Sequence, residues 1–374
     1  MWSLTELQPI RFDRTEAEAI KAHLDEHGYA VVKDAATPAE LQHARALLWK
    51  DLNTRYSWQQ DRPETFTDDA YKVSGDPRSG LIGLTHCDAL WYCRALPGVL
   101  AGFAAAYGTD DLVTAYDRMA VNRPLACGSA SVAKLAAETT DNPLLRIRGL
   151  HTHHNQDNFG EDVLICYAIM PLYDMGAATG ATAIVPGSHK QDKVEFINRY
   201  RQEHADQLAE ESDPTRFLRP FTECGLAPGP ISAQAGDLCI FDTALFHCGC
   251  PASDMSSPAP GAHGLLRAVT IMSMAPRLLL SPAILRARQL YYELEQGTGG
   301  SVLGRGGEEG ALQILADYKT AETEGTARPK KRCFADAPAV VRRIVGDNFD
   351  FRNAPPASRV HSADSWRAKA TPRL

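Results

Sequence analysis

No apolar run in this chain approaches the ~20 residues needed to cross a bilayer. The N-terminal stretch MWSLTELQPIRFDRTE carries early charges and no continuous hydrophobic segment, so it does not read as a secretory signal, and a cytoplasmic protein without a membrane partner is expected. Positive charge is not in excess. A formal net charge of -7 and a pI near 6.0 give no general attraction to phosphate backbones, so nucleic acid is not an expected partner. The short basic run Pro329-Lys330-Lys331-Arg332 reads as solvated loop. Regular cysteine spacing is also missing. Nine cysteines, odd in number and without a CxxC pair, point to reduced thiols and not to a disulfide framework. Cys248-Gly249-Cys250, the one close pair, reads as incidental composition.

Two catalytic signatures are absent as well. There is no Gly-x-Ser-x-Gly elbow. The glycine-rich stretch 297–310 (GTGGSVLGRGGEEG) lacks the lysine of a phosphate-binding loop and follows no strand, so it reads as a linker or lid. What remains is a chain of 374 residues, 44% hydrophobic and 23% charged, which is long enough to bury a substantial core as an ordinary globular protein.

The first part of the chain has helical punctuation. Residues 15–27 predict a helix stopped by Gly28, and Tyr29-Ala30-Val31-Val32 a short strand. Thr37-Pro38-Ala39-Glu40 combines a capping threonine, a proline at the first helical position and a glutamate three residues on, and starts a helix with leucines at 41, 47, 48 and 52. Residues 53–90 are polar and weakly patterned, the character of a covering loop, and residues 91–107 read as one helix.

From about residue 144 the pattern changes. LLRIRGLHTHH, VLICYAIM, ATAIVPGSH, GDLCIFD and LLRAVTIMSMA are short apolar or alternating runs separated by Gly, Pro, Asp and Asn, as in an antiparallel sandwich or barrel. Ser281-Pro282 caps a further helix that ends before Gly297, and 311–374 reads as a helix followed by irregular peptide. The expected fold is therefore α+β, a single domain with its β core at about 140–276, a helical part at 1–139, and a C-terminal helix and tail at 277–374.

LHTHHNQDNFG at 150–160 holds three histidines within four positions. In a strand, residues i and i+2 share a face, so His151 and His153 can converge on one ion while His154 points away. A third imidazole is expected from His247 in GDLCIFDTALFHCG, at the far end of a hairpin that follows strand 238–241. Three imidazoles with open positions opposite them suit iron or zinc. His86-Cys87-Asp88 also spells H-x-D, but it lies outside the β region, and Asp88 reads as a helix cap. His189 in PGSHK belongs to a turn, and Asp237 and Asp242 read as turn stabilisers.

Taken together, GYAVVKDAATPAEL, the LHT start of the cluster, AIVPGSHK, GDLCIFDTALFH and LLRAVTIMSMAP resemble the phytanoyl-CoA dioxygenase-like branch of the iron(II)/2-oxoglutarate oxygenases, over residues 25–276. The resemblance implies a double-stranded β-helix, a jelly-roll or cupin-like barrel buttressed by helices. It also implies Fe(II) and 2-oxoglutarate as cofactors, and O2 and a small organic molecule as substrates. His247 matches the family's distal histidine ligand, and Arg267 its 2-oxoglutarate-binding arginine. Where the family has the aspartate of H-x-D this chain has His153. Pairing His153 with Asn155 is an alternative register, and Asp157 is a candidate fourth ligand or an orienting partner.

An amide is a weak ligand and imidazole a good one, which favours His151, His153 and His247 as the metal set. The expected activity is C–H oxidation: hydroxylation, cyclisation or desaturation. Two readings stand beside it. One is a three-histidine zinc hydrolase or hydratase, and the other is a catalytically degenerate binding protein. The loops at 53–90 and 297–310 are the expected substrate lids.

Overall fold

A computed structural model describes residues 4–72, 78–153, 164–210, 213, 215–256, 264–304 and 306–347. Eleven strands are present among them: β1 (Arg11–Phe12), β2 (Tyr29–Val32), β3 (Leu81–Ile82), β4 (Leu112–Thr114), β5 (Met119–Asn122), β6 (Cys166–Pro171), β7 (Ala181–Ile184), β8 (Gly229–Pro230), β9 (Leu238–Asp242), β10 (His247–Cys250) and β11 (Arg267–Pro276). The large sheet runs β1-β2-β9-β6-β11-β5-β3, with β4 paired to the end of β11, and a small sheet runs β10-β7-β8. Every pairing is antiparallel except β1 with β2.

The long apolar runs of the sequence have a simple cause: the large sheet is covered on both faces. Along its strands the residues alternate between two clusters. Ala30, Val32, Ala168, Met170, Leu238, Ile240 and Met272 pack outward with Ile20, Leu24, Leu48 and Phe103 of the helices Ala17–His27, Pro38–Tyr56 and Pro97–Tyr107. Tyr29, Val31, Tyr167, Ile169, Cys239, Phe241, Val269 and Ile271 point inward and share a cluster with Ile184 of the small sheet. The small sheet's other face carries Ala183, Cys248 and Cys250 against Val194 and Ile197 of the helix Gln191–Glu203 and Phe221 of the helix Arg219–Thr222.

Local signals hold where they are backbone chemistry. Gly28 ends the first helix at φ 80°, a conformation glycine adopts without penalty. Thr37 and Glu40 form the reciprocal capping box, and the Ser281 side chain accepts from the Ile284 N–H at 3.2 Å.

Several expectations are corrected. Residues 91–107 are two helices, Asp88–Arg94 and Pro97–Tyr107, because proline disfavours helical backbone in the residue before it and Leu96 is accordingly extended. Asp88 is the first residue of its helix and pairs with Lys50, while Cys87 occupies the capping position. The expected strand at Tyr29–Val32 is β2, and β1, β3, β4 and β5, also ahead of residue 140, join the large sheet with it. β9 and β10 are not a hairpin, because the four residues between them cross from one sheet to the other. The turn is held by the Asp242 carboxylate accepting the Ala244 N–H at 2.8 Å. The basic run is the solvated loop expected, with Lys330 paired to Glu293 and Lys331 and Arg332 to Glu295.

The C-terminal helices Pro282–Glu293, Gly307–Thr323 and Ala339–Val345 form their own apolar cluster with Trp91, Val113 and Tyr116. A helix therefore begins inside the expected glycine-rich linker, and Val302 and Leu303 ahead of it are buried. Arg288, fully buried, ties the layers together: its guanidinium donates to the carbonyls of Val345 (2.9 Å), Val302 (2.6 Å) and Thr114 (2.5 Å). Each of these carbonyls would be left without that donor in Arg288→Leu. The variant is expected to lose at least about 3 kcal/mol of stability in urea unfolding, and a loss under about 1 kcal/mol would show that the carbonyls have other donors.

Candidate metal centre

His247 opens β10, and its backbone exchanges two hydrogen bonds with His151, N to O at 3.0 Å in one direction and 2.9 Å in the other. This isolated bridge adds one rung to the edge of the small sheet. The stretch before it, Pro143–Ile147, is a 3-10 turn and not the strand expected there. Position on one strand face is therefore not what gathers the histidines. The His153 N–H donates instead to the Thr243 carbonyl at 2.7 Å, which ties the cluster to the turn between the sheets. The ring centroids of His151, His153 and His247 lie 4.9–5.0 Å apart, and one ligand atom from each lies within 4.8 Å of the others. His154, Asn155 and Asp157 lie outside the described residues.

The tautomers of two of the three rings are set by their neighbours. Nδ1 of His151 is 2.7 Å from the Gly149 carbonyl, and Nδ1 of His247 is 2.8 Å from the Leu245 carbonyl. A carbonyl can only accept, so in both rings Nδ1 carries the proton and Nε2 keeps its lone pair, the form that ligates a metal. Burial, and then the neighbouring His153 and His151, hold the His247 pKa well below the usual histidine value, so His247 is neutral at physiological pH. The rings stand on an aromatic floor. Tyr167 stacks on His153 at 5.0 Å, and Phe241 lies parallel to His247 at 6.1 Å. The Tyr167 hydroxyl donates to buried Asp117 at 2.7 Å.

An ion with bonds of about 2.1 Å needs its donors roughly 3.0–3.4 Å apart, so nitrogens up to 4.8 Å apart would have to close around it. His247 is buried, His153 is half-buried and His151 is exposed, which leaves one side of the set open to other ligands.

Arg267 opens β11 on the inward face, the face of Val269 and Ile271. It is 3% exposed. Its Nη2 donates to Thr182 Oγ1 at 2.9 Å and its Nη1 to Asn122 Oδ1 at 3.4 Å, while Nε is buried without a partner. No carboxylate pairs with it among the described residues. Burial lowers its pKa to about 10, so it stays cationic at neutral pH. A buried cation without a counter-charge costs several kcal/mol, and an anion is its natural complement.

The small sheet relates this arginine to the histidines. His247 faces Ile184, and Gly249 faces Thr182. Thr182 therefore lies two residues from the His247 rung, roughly 7 Å along the strand, and on the same inward face. Gly249 needs to be glycine: a Cβ there would sit 2.9 Å from the Ser79 Cα, where the chain before β3 closes over the sheet. Thr182, Asn122, Tyr167 and Asp117 were not anticipated from the sequence. The available signal was a polar residue interrupting an apolar strand, as Thr182 does in ATAI and Asn122 in MAVN.

The other sequence candidates lie elsewhere. His86 is buried between Trp91 and Tyr116, with Nε2 3.0 Å from the Gln296 carbonyl. His189 Nε2 meets the Asp25 carbonyl at 3.1 Å. Asp237 is fully buried under Arg11, which donates to it at 2.8 and 2.9 Å. Cys248 and Cys250 face away from the histidines.

No family model matches the chain. It is 22% identical over 259 residues to Ava biosynthesis cluster protein O of Aspergillus versicolor, covering 66% of this chain and 78% of that protein. Among solved structures it is similar to a hypothetical protein, JW0805, from Escherichia coli (12% identity, 90% of this chain and 85% of that one, TM-score 0.47). It is also similar to SnoN, a non-heme alpha-ketoglutarate dependent epimerase from nogalamycin biosynthesis (12% identity, 70% and 83%, TM-score 0.39). No single helix among the described residues is long and apolar enough to cross a membrane.

Two outcomes are expected. Metal-free protein should take up one equivalent of Co(II) with a visible d–d spectrum, and His247→Ala should weaken that uptake at least about a hundredfold; an unchanged spectrum in the variant would remove His247 from the ligand set. The second concerns acid. Burial first, and then Arg94, push the His86 pKa down to about 3, against an unfolded value of about 6.5. His86 thus stays neutral in the fold while the unfolded chain takes up the proton, so stability falls as pH drops from about 6.5 towards 3. By pH 5 the loss should be about 2 kcal/mol. Denaturant titrations at pH 7 and pH 5 of wild type and His86→Phe check it, with the variant expected to lose less.

Proposed function

We propose that this chain is an iron(II)- and 2-oxoglutarate-dependent oxygenase that oxidises a C–H bond of a small organic molecule, with His151, His153 and His247 as metal ligands and Arg267 as the anchor of the distal carboxylate of 2-oxoglutarate. The observation that carries this reading is Arg267: a buried guanidinium with no carboxylate partner among the described residues, bonded to Thr182 two residues along the small sheet from the His247 rung. A guanidinium presents paired N–H donors that match a carboxylate, and the span suits an extended five-carbon dicarboxylate whose other end reaches the metal.

The strand order supports the accompanying fold. We read β9-β6-β11-β5 facing the His151 bridge, β10, β7 and β8 as the two sheets of a double-stranded β-helix in a single domain. The later motifs that resemble the phytanoyl-CoA dioxygenase-like branch, from AIVPGSHK to LLRAVTIMSMAP, lie on or beside these strands, which supports that narrower assignment; we take the enzyme to be cytoplasmic.

When bound, iron supplies activation of O2 for hydrogen abstraction from carbon. The chain's own residues do the rest. Gly149 and Leu245 carbonyls hold two imidazoles in the ligating tautomer. Thr182 and Asn122 aim the Arg267 guanidinium, and the Ser79 backbone over Gly249 keeps water from that end of the site. Three neutral imidazoles leave the full double charge of the ion in place, and a dianionic co-substrate neutralises it. This is how the site accommodates the loss of the family's aspartate at position 153.

The exposed side of three imidazoles also suits a zinc-bound water, so the same experiment must separate the two metals. Anaerobic addition of ferrous iron and then 2-oxoglutarate to metal-free protein should produce the weak visible band of the chelate. Arg267→Ala should weaken 2-oxoglutarate binding by roughly a hundredfold, the worth of two charge-assisted hydrogen bonds at about 3 kcal/mol. Equal affinity in the variant would sink the assignment. Retention of zinc with no band in wild type would favour the hydrolytic reading, and no metal uptake the degenerate one.

A further inference from the structure

A second concave site lies behind the small sheet. The residues around it belong with the sheet's outward cluster, which holds Ile147, Leu150, Phe221, Phe246 and Cys248, and not with the inward cluster of the histidine floor. The cavity has a volume of about 410 Å3, within the range of small-molecule sites. Three arginines line it, Arg148, Arg201 and Arg216, and its remaining wall is apolar, including Leu150, Leu208 and Phe217. No acidic side chain is among its described lining residues.

Two of these arginines are held in place. Arg201 lies over the rings of Phe246 (4.9 Å) and Phe221 (5.3 Å) and donates to the Leu150 carbonyl at 3.1 Å. Arg216 lies over Phe217 at 4.4 Å and donates to the Asp213 carbonyl at 2.8 Å. Rings and a carbonyl orient the Arg201 guanidinium without cancelling its charge, whereas Arg216 also lies close enough to the Asp213 carboxylate to interact with it. Arg148 is exposed at the rim, and neither it nor Arg201 has a carboxylate partner among the described residues. Like charges gathered around one apolar cavity repel one another and are stabilised by an anion placed between them.

We infer that this cavity is a binding site for an amphipathic anion, a small molecule with a phosphate, sulfate or carboxylate head for the arginines and a short apolar body for the Leu208 and Phe217 wall. It is separate from the histidine cluster. It nevertheless adjoins it through the chain, because Arg201 holds the carbonyl of Leu150, the residue before His151. The ligand would therefore steady the segment that delivers His151.

Hexyl phosphate is the probe, titrated by calorimetry into the full-length protein, with inorganic phosphate as the head group alone. Saturable one-to-one binding is expected, weakened at least about tenfold by Arg148→Glu and by added salt. Ala205→Trp, on the exposed helix flanking the cavity, fills the space without touching charge and should have the same effect; both sites are exposed, and thermal unfolding confirms that each variant is folded. Arg267→Ala should bind hexyl phosphate like wild type, whatever the fate of the oxygenase reading.

Three results would overturn the inference: no saturation up to about 10 mM, equal affinity in both cavity variants, or displacement of hexyl phosphate by 2-oxoglutarate together with loss in Arg267→Ala, which would move the anion to the inward face. Inorganic phosphate binding as tightly as hexyl phosphate would overturn the apolar half of the ligand.

Discussion

Helices cover one face of the large sheet and a second sheet covers the other, and this double coverage is the constraint from which the rest of the molecule follows. Strands buried on both faces must be apolar at nearly every position, so β6, β9 and β11 spend their side chains on packing. Any polar group on the inward face must then be hydrogen-bonded or hold something. Among the described residues these include Tyr167 on Asp117, Ser273 on the Cys166 carbonyl, and Arg267 on Thr182 and Asn122. The chemistry of the inward face is concentrated in these residues and in the histidines at its edge.

The electrostatics of that space are unusual in sign. His247 is held neutral by burial and by its fellow histidines, and Arg267 keeps its charge although burial lowers its pKa. On the proposed reading, the histidines would hold a cation and Arg267 an anion, both on the same inward face. The arginine-lined cavity on the opposite side of the small sheet repeats the preference for anions in a different form. There the Arg201 and Arg216 guanidinium groups rest on aromatic rings, and no described lining residue offers a metal ligand.

Legibility in the sequence followed the range of the interaction. The capping box at Thr37, the Ser281 cap and the Gly28 stop are contacts over three or four residues, and they stand where the local pattern put them. The break before Pro97 is equally local but does not show in the hydrophobic pattern, which is continuous on both sides. β4 and β5 are illegible for the opposite reason: three- and four-residue strands become strands only by pairing with β11, over 140 residues away in the chain. The crossing between β9 and β10 reads as a hairpin from sequence because two short apolar runs around a turn look alike whether they rejoin one sheet or bridge two.

By itself the sequence determined the chemical types available: imidazoles at 151, 153 and 247, a solitary arginine opening an apolar run at 267, and apolar alternation that demands burial on both faces. Only the tertiary structure decided how they meet. The backbone bridge between His151 and His247 spans 96 positions of chain, the His153 amide is held by a turn between two sheets, and the register of β10 on β7 sets where Thr182, and with it Arg267, stands relative to His247. Residue type is a property of each position. Convergence depends on loop closure and register, whose free energy comes from the whole packed core.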